Sequence, residues 1–258
     1  MTTFVQISDT HFGSTRETLM RGANPFEQTR RAIAQINALP VQPDFVIHTG
    51  DLVDDADDDA AYKVAAEALA DLTAPVYFVT GNHDRSAKLK QFMTFGPHTT
   101  LGDGLFYSFT VNDEQFIVLD GRGADEIDPA GVVSAEQIKY LHSLPSAGNP
   151  LSLFIHFPLF PIGSPWADEA MMLQNGQSLH EVLLPLRGRL RGVFHGHLHQ
   201  SLHITRDGIA YSVAPSLLRQ FQFWIPPSGE IVNHDAPAAF NWVNCMNQQT
   251  VVRPIVLQ

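Results

Sequence analysis

Cysteine is almost missing: Cys245 is the single thiol in 258 residues. One thiol makes no internal disulfide and no paired-cysteine metal or redox motif. The chain therefore suits a reducing compartment. Basic residues are also few. Lys plus Arg total 16 against 27 Asp plus Glu, a formal net charge of −11. So acidic a chain offers little to long nucleic acid or to an anionic membrane, whose phosphates need cationic contacts. Neither is expected as a partner. No apolar run reaches the length that spans a bilayer. The opening Met1-Thr2-Thr3-Phe4-Val5-Gln6-Ile7 has neither the basic start nor the apolar stretch of a secretory signal, and reads as a strand. A cytoplasmic location is expected. Internal repeats and low-complexity tracts are absent as well.

What is present suits a packed core. Hydrophobic residues make up 44% of the chain and charged residues 17%, which argues against disorder. Short β-branched runs at Phe4–Ser8, Phe45–Thr49 and Val76–Thr80 alternate with helical patterns. Asn24-Pro25 has the form of an N-cap and first helical residue, predicting a helix to about Asn37. Asp57–Asp71 and Ser86–Thr94 read as helices. Leu105–Val111 and Gln115–Leu119 read as a hairpin, and Leu151–His156 as a strand. Capping-box spacings at Ser134-Ala135-Glu136-Gln137 and Ser178-Leu179-His180-Glu181 predict two more helices. Arg191–Phe194, Ser201–Thr205, Ile209–Val213 and Gln220–Ile225 read as short strands. The pattern predicts an α/β fold with mixed sheets covered by helices. Residues 1–225 read as the main domain. Residues 226–258 read as a C-terminal extension, irregular to Asn247, that packs on the domain or makes an oligomer contact. Phe240 and Trp242 make that tail apolar, so a homodimer or larger assembly is expected. Phe157–Gly176 is a long loop rich in Pro, Met and aromatics, of the kind that usually serves function.

Histidine, with 12 copies, is abundant, and its placement is informative. Five polar clusters each follow an apolar strand: Asp9-Thr10-His11, Gly50-Asp51-Leu52-Val53-Asp54, Gly81-Asn82-His83-Asp84, His156-Phe157-Pro158 and Gly196-His197-Leu198-His199. Ligands in open α/β sheets gather at the carboxyl ends of strands, so the five can converge on one crevice. Carboxylates, an amide oxygen and imidazoles are the ligands of divalent first-row metals. The glycines before Asp51, Asn82 and His197 are expected to allow sharp turns there. Each cluster alone also has an ordinary reading, as a turn, a helix cap or a packed histidine. The ordered set does not. His195, His48, His98, His142, His180, His203 and His234 read as packing or surface residues. Asp54 is not assigned as a ligand, and Asp120 and Arg122 read as loop residues.

The ordered motifs DxH, GDxxD, GNHD, HxP and GHxH, spanning residues 9 to 199, resemble the calcineurin-like metallophosphoesterases. Gln6-Ile7-Ser8 before Asp9, and Ala214-Pro215-Ser216 with Gln220-Phe221, resemble the bacterial class III cyclic-nucleotide and glycerophosphodiester enzymes of that family. The resemblance implies a four-layer sandwich of two mixed sheets flanked by helices. It implies two divalent ions, Mn, Fe or Zn. Asp9, His11, Asp51 and His199 would hold one, and Asp51, Asn82, His156 and His197 the other, with Asp51 shared. It makes His83 catalytic, with Asp84 orienting it. The implied reaction is hydrolysis of a small phosphodiester, a cyclic nucleotide such as 3',5'-cAMP or a glycerophosphodiester, by in-line attack of metal-bound hydroxide. A phosphomonoesterase or protein phosphatase of the same family, a nuclease and a non-catalytic metal-binding scaffold are the alternatives. GNHD rather than GNHE, few arginines near the motifs, no basic strip and the presence of His83 weigh against them. One departure stands out: those relatives often carry two histidines where this chain has His156-Phe157. Phe157, Phe160 and Trp166 of the following loop are expected over the pocket mouth, stacking on a base or a small apolar group.

Overall fold

Local signals and packing agree through the first half of the chain. Pro25 opens the first helix, and the side chain of Asn24 accepts a 3.0 Å hydrogen bond from the amide of Glu27. The computed structural model describes residues 1–223 and 231–258. Its strands are β1 (Thr2–Ile7), β2 (Phe45–His48), β3 (Val76–Phe78), β4 (Thr99–Thr100), β5 (Tyr107–Val111), β6 (Glu114–Val118), β7 (Leu151–Phe154), β8 (Leu190–His195), β9 (Leu202–Arg206), β10 (Ile209–Val213), β11 (Gln220–Phe221), β12 (Val232–Asn233), β13 (Ala239–Met246) and β14 (Gln249–Val256). Its helices are α1 (Pro25–Asn37), α2 (Asp59–Leu69), α3 (Ser86–Phe92), α4 (Ala135–Ser143), α5 (Pro165–Ala170) and α6 (Gly176–Leu183). No helix among the described residues is long and apolar enough to cross a membrane.

The strands form two mixed sheets. One runs β14-β13-β1-β2-β3, with β1, β2 and β3 parallel. The other runs β4-β5-β6-β7-β8-β10-β9, with β6, β7, β8 and β10 parallel. Aromatic side chains join their inner faces. Phe4 and Phe45 of the first sheet meet Phe116 of the second at 6.1 and 4.9 Å, and Phe4 meets Phe154 and Phe194 at 5.6 and 5.2 Å. Ile33, Ile36 and Tyr62 from α1 and α2 join the core of the first sheet. Leu141, Leu179 and Leu183 from α4 and α6 join Leu153 and Val193 of the second. This is the four-layer α/β sandwich the motifs implied, and it turns the carboxyl ends of β1, β2 and β3 toward those of β7 and β8.

Five details depart from the sequence reading. The second capping box does not form: α6 starts at Gly176 with Asn175 before it, which leaves Ser178 inside the helix. Asn175 instead bonds the amide and carbonyl of Val133. From Ala239 the tail is not irregular, because β13 pairs along β1 from Thr2↔Cys245 to Gln6↔Asn241 and β14 completes the sheet. Phe240 is fully buried in the core and Trp242 is packed against it, so neither supplies the exposed patch on which the expected oligomer contact rests. The loop 157–176 contains α5. Of the strand expected over 220–225, β11 is the part seen among the described residues; Trp224, Ile225 and the 225/226 boundary lie outside them.

Candidate metal centre and active site

Every motif lies just past a strand that ends on the same rim. Asp9 and His11 follow β1, Asp51 follows β2, Asn82 and His83 follow β3, His156 follows β7, and His197 and His199 follow β8. The turns are tight in an uncommon way. Asp9, His11, Asp51, His197 and His199 have φ of 54°, 49°, 54°, 72° and 46°. Five non-glycine residues in the left-handed region at one site are backbone strain concentrated where side chains must be aimed. The glycines therefore act differently from expectation. Gly50 does adopt φ 102°. Gly81 and Gly196 do not have positive φ; a Cβ there would collide with Asp51 and with Ser8. Close approach, not turning, requires them.

The side chains sort into two groups that share Asp51. Asp9, His11, Asp51 and His199 offer ligand atoms within 4.8 Å of one another, and so do Asp51, His156 and His197. Oδ2 of Asp51 lies 3.7 Å from Nε2 of His11 and 3.3 Å from Nε2 of His156. Nε2 of His11 lies 2.9 Å from Nε2 of His199, and Nε2 of His156 lies 3.0 Å from Nδ1 of His197. Such ring nitrogens converge on a point rather than on each other's protons. On His156, His199 and His11 the other nitrogen is turned to a partner, whereas Nε2 of His197 has none. Nδ1 of His156 donates to the Thr49 carbonyl at 2.7 Å and Nδ1 of His199 to the Arg219 carbonyl at 3.0 Å. Nδ1 of His11 faces Asp54 at 3.3 Å. For His156 and His199 that arrangement fixes the tautomer and leaves Nε2 as the lone-pair side, the usual support for a metal-binding imidazole. Oδ1 of Asn82 is buried and makes no hydrogen bond within the chain.

Electrostatics point the same way for three of the imidazoles; for the fourth, burial opposes the charged form but Asp51 raises His156 to about 9. Burial pushes His11 down to about 4 and holds His197 and His199 well below the ordinary imidazole value. Neutral imidazole is the ligating form. Burial also pushes Asp9 up to about 7, with His156 opposing and Asp51 adding to the rise. Asp51 is opposed by burial too, yet the surrounding His156, His83 and His11 hold it well below the usual carboxylate range. A buried group of two carboxylates, an amide oxygen and four imidazoles, with donor atoms lacking partners, fits a pair of divalent cations.

The residues assigned to catalysis sit differently from one another. His83 lines the cavity with Nδ1 donating to the Asp54 carbonyl at 2.6 Å, so Nε2 is its open nitrogen. Burial opposes a charge on His83, but Asp51 and the Asp54 carbonyl raise it above the ordinary value. Asp84 does not orient His83. Its carboxylate accepts from the amides of Leu52, Val53 and Gly81 at 3.0, 3.3 and 2.9 Å, tying the Asp51 turn to the Asn82 turn. Burial and the Asp51 charge push it up to about 6. His197 and His199 lie beyond the end of β8, in a turn rather than in strand alternation. His195 is buried with Nδ1 donating to the Ile155 carbonyl, and the His48 ring lies 3.0 Å from the Thr10 hydroxyl, both outside the ligand groups. Asp120 is buried and accepts from Leu105 and Ser86, while Arg122 donates to the Asp84 carbonyl; neither is a solvated loop residue.

The cavity over these groups has a volume of about 100 Å³, and Arg21, Trp166, Met171 and Phe221 complete its wall. Trp166 is where the loop reading put it. Phe160 is not: it is buried against His180 and Tyr211. Phe157 is buried edge-on to His156. Two wall residues were not assigned to the site from the sequence: Phe221 entered only as part of the family resemblance, and Arg21 carried no signal. Phe221 stacks on the His199 ring at 4.1 Å and 5°. Arg21 reaches Asp54 at 3.3 Å and lies over Phe221 at 5.8 Å from a bend with φ 48°.

Known proteins match the chain over most of its length. The model of calcineurin-like phosphoesterases covers residues 2–201. A probable cyclic nucleotide phosphodiesterase of Rhodopseudomonas palustris is 30% identical over 253 residues, covering 96% of this chain and 90% of that protein. A probable glycerophosphodiester phosphodiesterase of Arcobacter nitrofigilis is 30% identical over 203 residues, covering 76% of this chain and 71% of that protein. A dimetal phosphatase of Danio rerio superposes with a TM-score of 0.71 at 16% identity, over 98% of this chain and 95% of that one, a likeness of fold.

Proposed function

The chain belongs to the calcineurin-like phosphoesterase family, a family of metal-dependent hydrolases, and from that premise we propose that it is a dinuclear phosphodiesterase acting on small phosphodiesters. The position of Asp51 between His11 and His156 carries the dinuclear reading, because one carboxylate there faces both ligand groups. Asp9, His11, Asp51 and His199 would hold one ion, and Asp51, Asn82, His156 and His197 the other, with Mn, Fe or Zn as candidates. Bound ions would supply positive charge for the phosphoryl oxygens and a water acidic enough to be hydroxide near neutral pH.

The chain's own residues do the rest. Thr49 and Arg219 carbonyls keep the His156 and His199 rings aimed. The Asp54 carbonyl holds His83 so that a proton on Nε2 faces the cavity. His83 then delivers it to the departing alcohol oxygen, which lowers the barrier for poor leaving groups. Asp84 joins the two turns that carry Asp51 and Asn82.

The cavity of about 100 Å³ favours a phosphoryl group inside and the organic part at its mouth; pockets enclosing a whole organic ligand run to roughly 300–1,000 Å³. There the half-buried Trp166 offers an aromatic surface, which suits a nucleobase. Two relatives at 30% identity have names that specify cyclic nucleotides and glycerophosphodiesters. Cyclic nucleotides fit the aromatic wall better. Arg21 adds a cation that the motifs did not supply, but Asp54 offsets part of its charge, so a monoanionic diester still suits the site.

The test is turnover of bis-p-nitrophenyl phosphate against p-nitrophenyl phosphate at equal metal loading, followed by 3',5'-cAMP against glycerophosphoethanolamine. Faster hydrolysis of the monoester overturns the diester reading. Faster hydrolysis of the glycerol diester overturns the nucleotide preference.

A further inference from the structure

Three arginines gather at the opposite rim from the metal ligands. Arg187, Arg189 and Arg191 precede or open β8, whereas His197 and His199 follow it. Pro150 opens the same groove just before β7, whereas His156 follows that strand. The two sites are thus roughly 20 Å apart, six or so strand residues at about 3.3 Å each. The groove has a volume of about 450 Å³, and no Asp or Glu lines it among the described residues. In a chain of net charge −11, this is a local reversal of sign.

Two of the three arginines face no carboxylate among the described residues. Arg191 has one carboxylate partner, Glu114 at 3.3 Å. Arg189 bonds the neutral side-chain oxygen of Gln115 at 3.2 Å, and Arg187 bonds the Leu184 carbonyl at 3.1 Å. The Nε atoms of Arg189 and Arg191 are buried and make no hydrogen bond within the chain. The Arg189 guanidinium packs over Gly148, where a Cβ would collide with it. Burial lowers the pKa of Arg189. Arg189 is only part-buried, but its Nε is shielded from water and has no partner within the chain, and an anion in the groove would supply one. Guanidinium forks suit phosphate oxygens in particular, through paired charge-assisted hydrogen bonds. Asn247 and Gln248, at the β13–β14 turn, add amide donors along the same wall.

We propose that the groove formed by Arg187, Arg189 and Arg191 is a second binding site, taking a small phosphate-bearing anion at the end of the sheet opposite the metal centre. Inorganic phosphate and the phosphate end of a phosphomonoester share the required chemistry.

The experiment is calorimetric titration of the metal-loaded protein with inorganic phosphate, and separately with 5'-AMP, in wild type, Arg189→Gln, Arg189→Lys and Arg187→Ala. Arg189→Gln is expected to weaken one binding event at least tenfold, and Arg187→Ala, at an exposed position, at least threefold. Arg189→Lys should recover part of the loss. Turnover of bis-p-nitrophenyl phosphate should stay unchanged in all three, because none lines the metal cavity. Equal loss for phosphate and AMP identifies the phosphate alone as the ligand; a loss seen only with AMP identifies a phosphomonoester. Phosphate and AMP affinities that are the same in wild type and every groove variant overturn the proposal. So does a titration whose whole signal vanishes in Asn82→Ala, since all binding then belongs to the metal centre.

Discussion

Oδ2 of Asp51 lies 3.3 Å from Nε2 of His156, a contact between a residue that follows the first sheet and one that follows the second. Their strands, β2 and β7, belong to different layers, so the carboxylate stitches the sandwich together at its rim as well as serving both ligand groups. Asp51→Ala is expected to remove both ions rather than one, and activity with them. Elemental analysis of the purified variant checks this, and two retained ions per chain would show that Asp51 is not shared.

His83 and Asp84 are neighbours with separable tasks. His83→Ala should keep the metals and lose about 10²–10⁴-fold in turnover, the range of a positioned proton donor. The loss should shrink for p-nitrophenyl esters, whose leaving group needs little protonation. Asp84→Ala should do the reverse, because its carboxylate holds the amides of Leu52, Val53 and Gly81 rather than the His83 ring. Metal content should fall in that variant, while the residual activity keeps the wild-type dependence on leaving group. A leaving-group dependence that changes in Asp84→Ala would restore Asp84 as the partner of His83.

Local chemistry was readable where it acts alone. Asn24 caps α1 and Ser134 caps α4 as their sequence positions predict. Ser178 fails as a cap because Asn175 and Val133 settle the start of α6 through a contact between distant segments. The motif side chains were legible because each follows a strand, and parallel strands send them to one rim. Asp84 was misread because adjacency in sequence suggested a contact that the turn does not make. β13 was missed because its partner, β1, lies at the other end of the chain. Arg21 left no trace in any motif, and Phe221 marked the resemblance without pointing to the site; only the folded chain brings them to the cavity.

The core that joins the two sheets depends on closely packed aromatics, many of them edge-on. Phe45 is fully buried and meets Phe4, Phe109 and Phe116 at 4.9, 5.1 and 4.9 Å. Phe45→Ala should lower unfolding free energy by about 3–5 kcal/mol, the usual cost of emptying such a site. Asn24→Ala should cost about 1 kcal/mol by releasing the amide of Glu27. Urea unfolding of the two variants checks the order. An Asn24 effect as large as that of Phe45 would mean that the first helix, and not the inter-sheet core, limits stability.

The aromatic wall gives the sharpest test of substrate class. Phe221 stacks on the His199 ring, so removing it disturbs a metal ligand and confounds the result. Trp166 is free of that problem: its ring contacts are Phe221 at 6.3 Å and Phe223 at 5.8 Å, and it is only half-buried at the cavity wall. Trp166→Ala should therefore leave metal content unchanged. If a nucleobase rests on this wall, the variant should raise KM for 3',5'-cAMP roughly tenfold, in keeping with the roughly 1–3 kcal/mol that base–aromatic stacking contributes. KM for bis-p-nitrophenyl phosphate, which has no base, should move much less than that. The two substrates share the phosphoryl group, so any shift common to both reports on the metal centre, and only the difference reports on the base. A KM for cAMP that changes no more than that of the synthetic diester would remove the base from Trp166 and leave the glycerol diesters as the better fit.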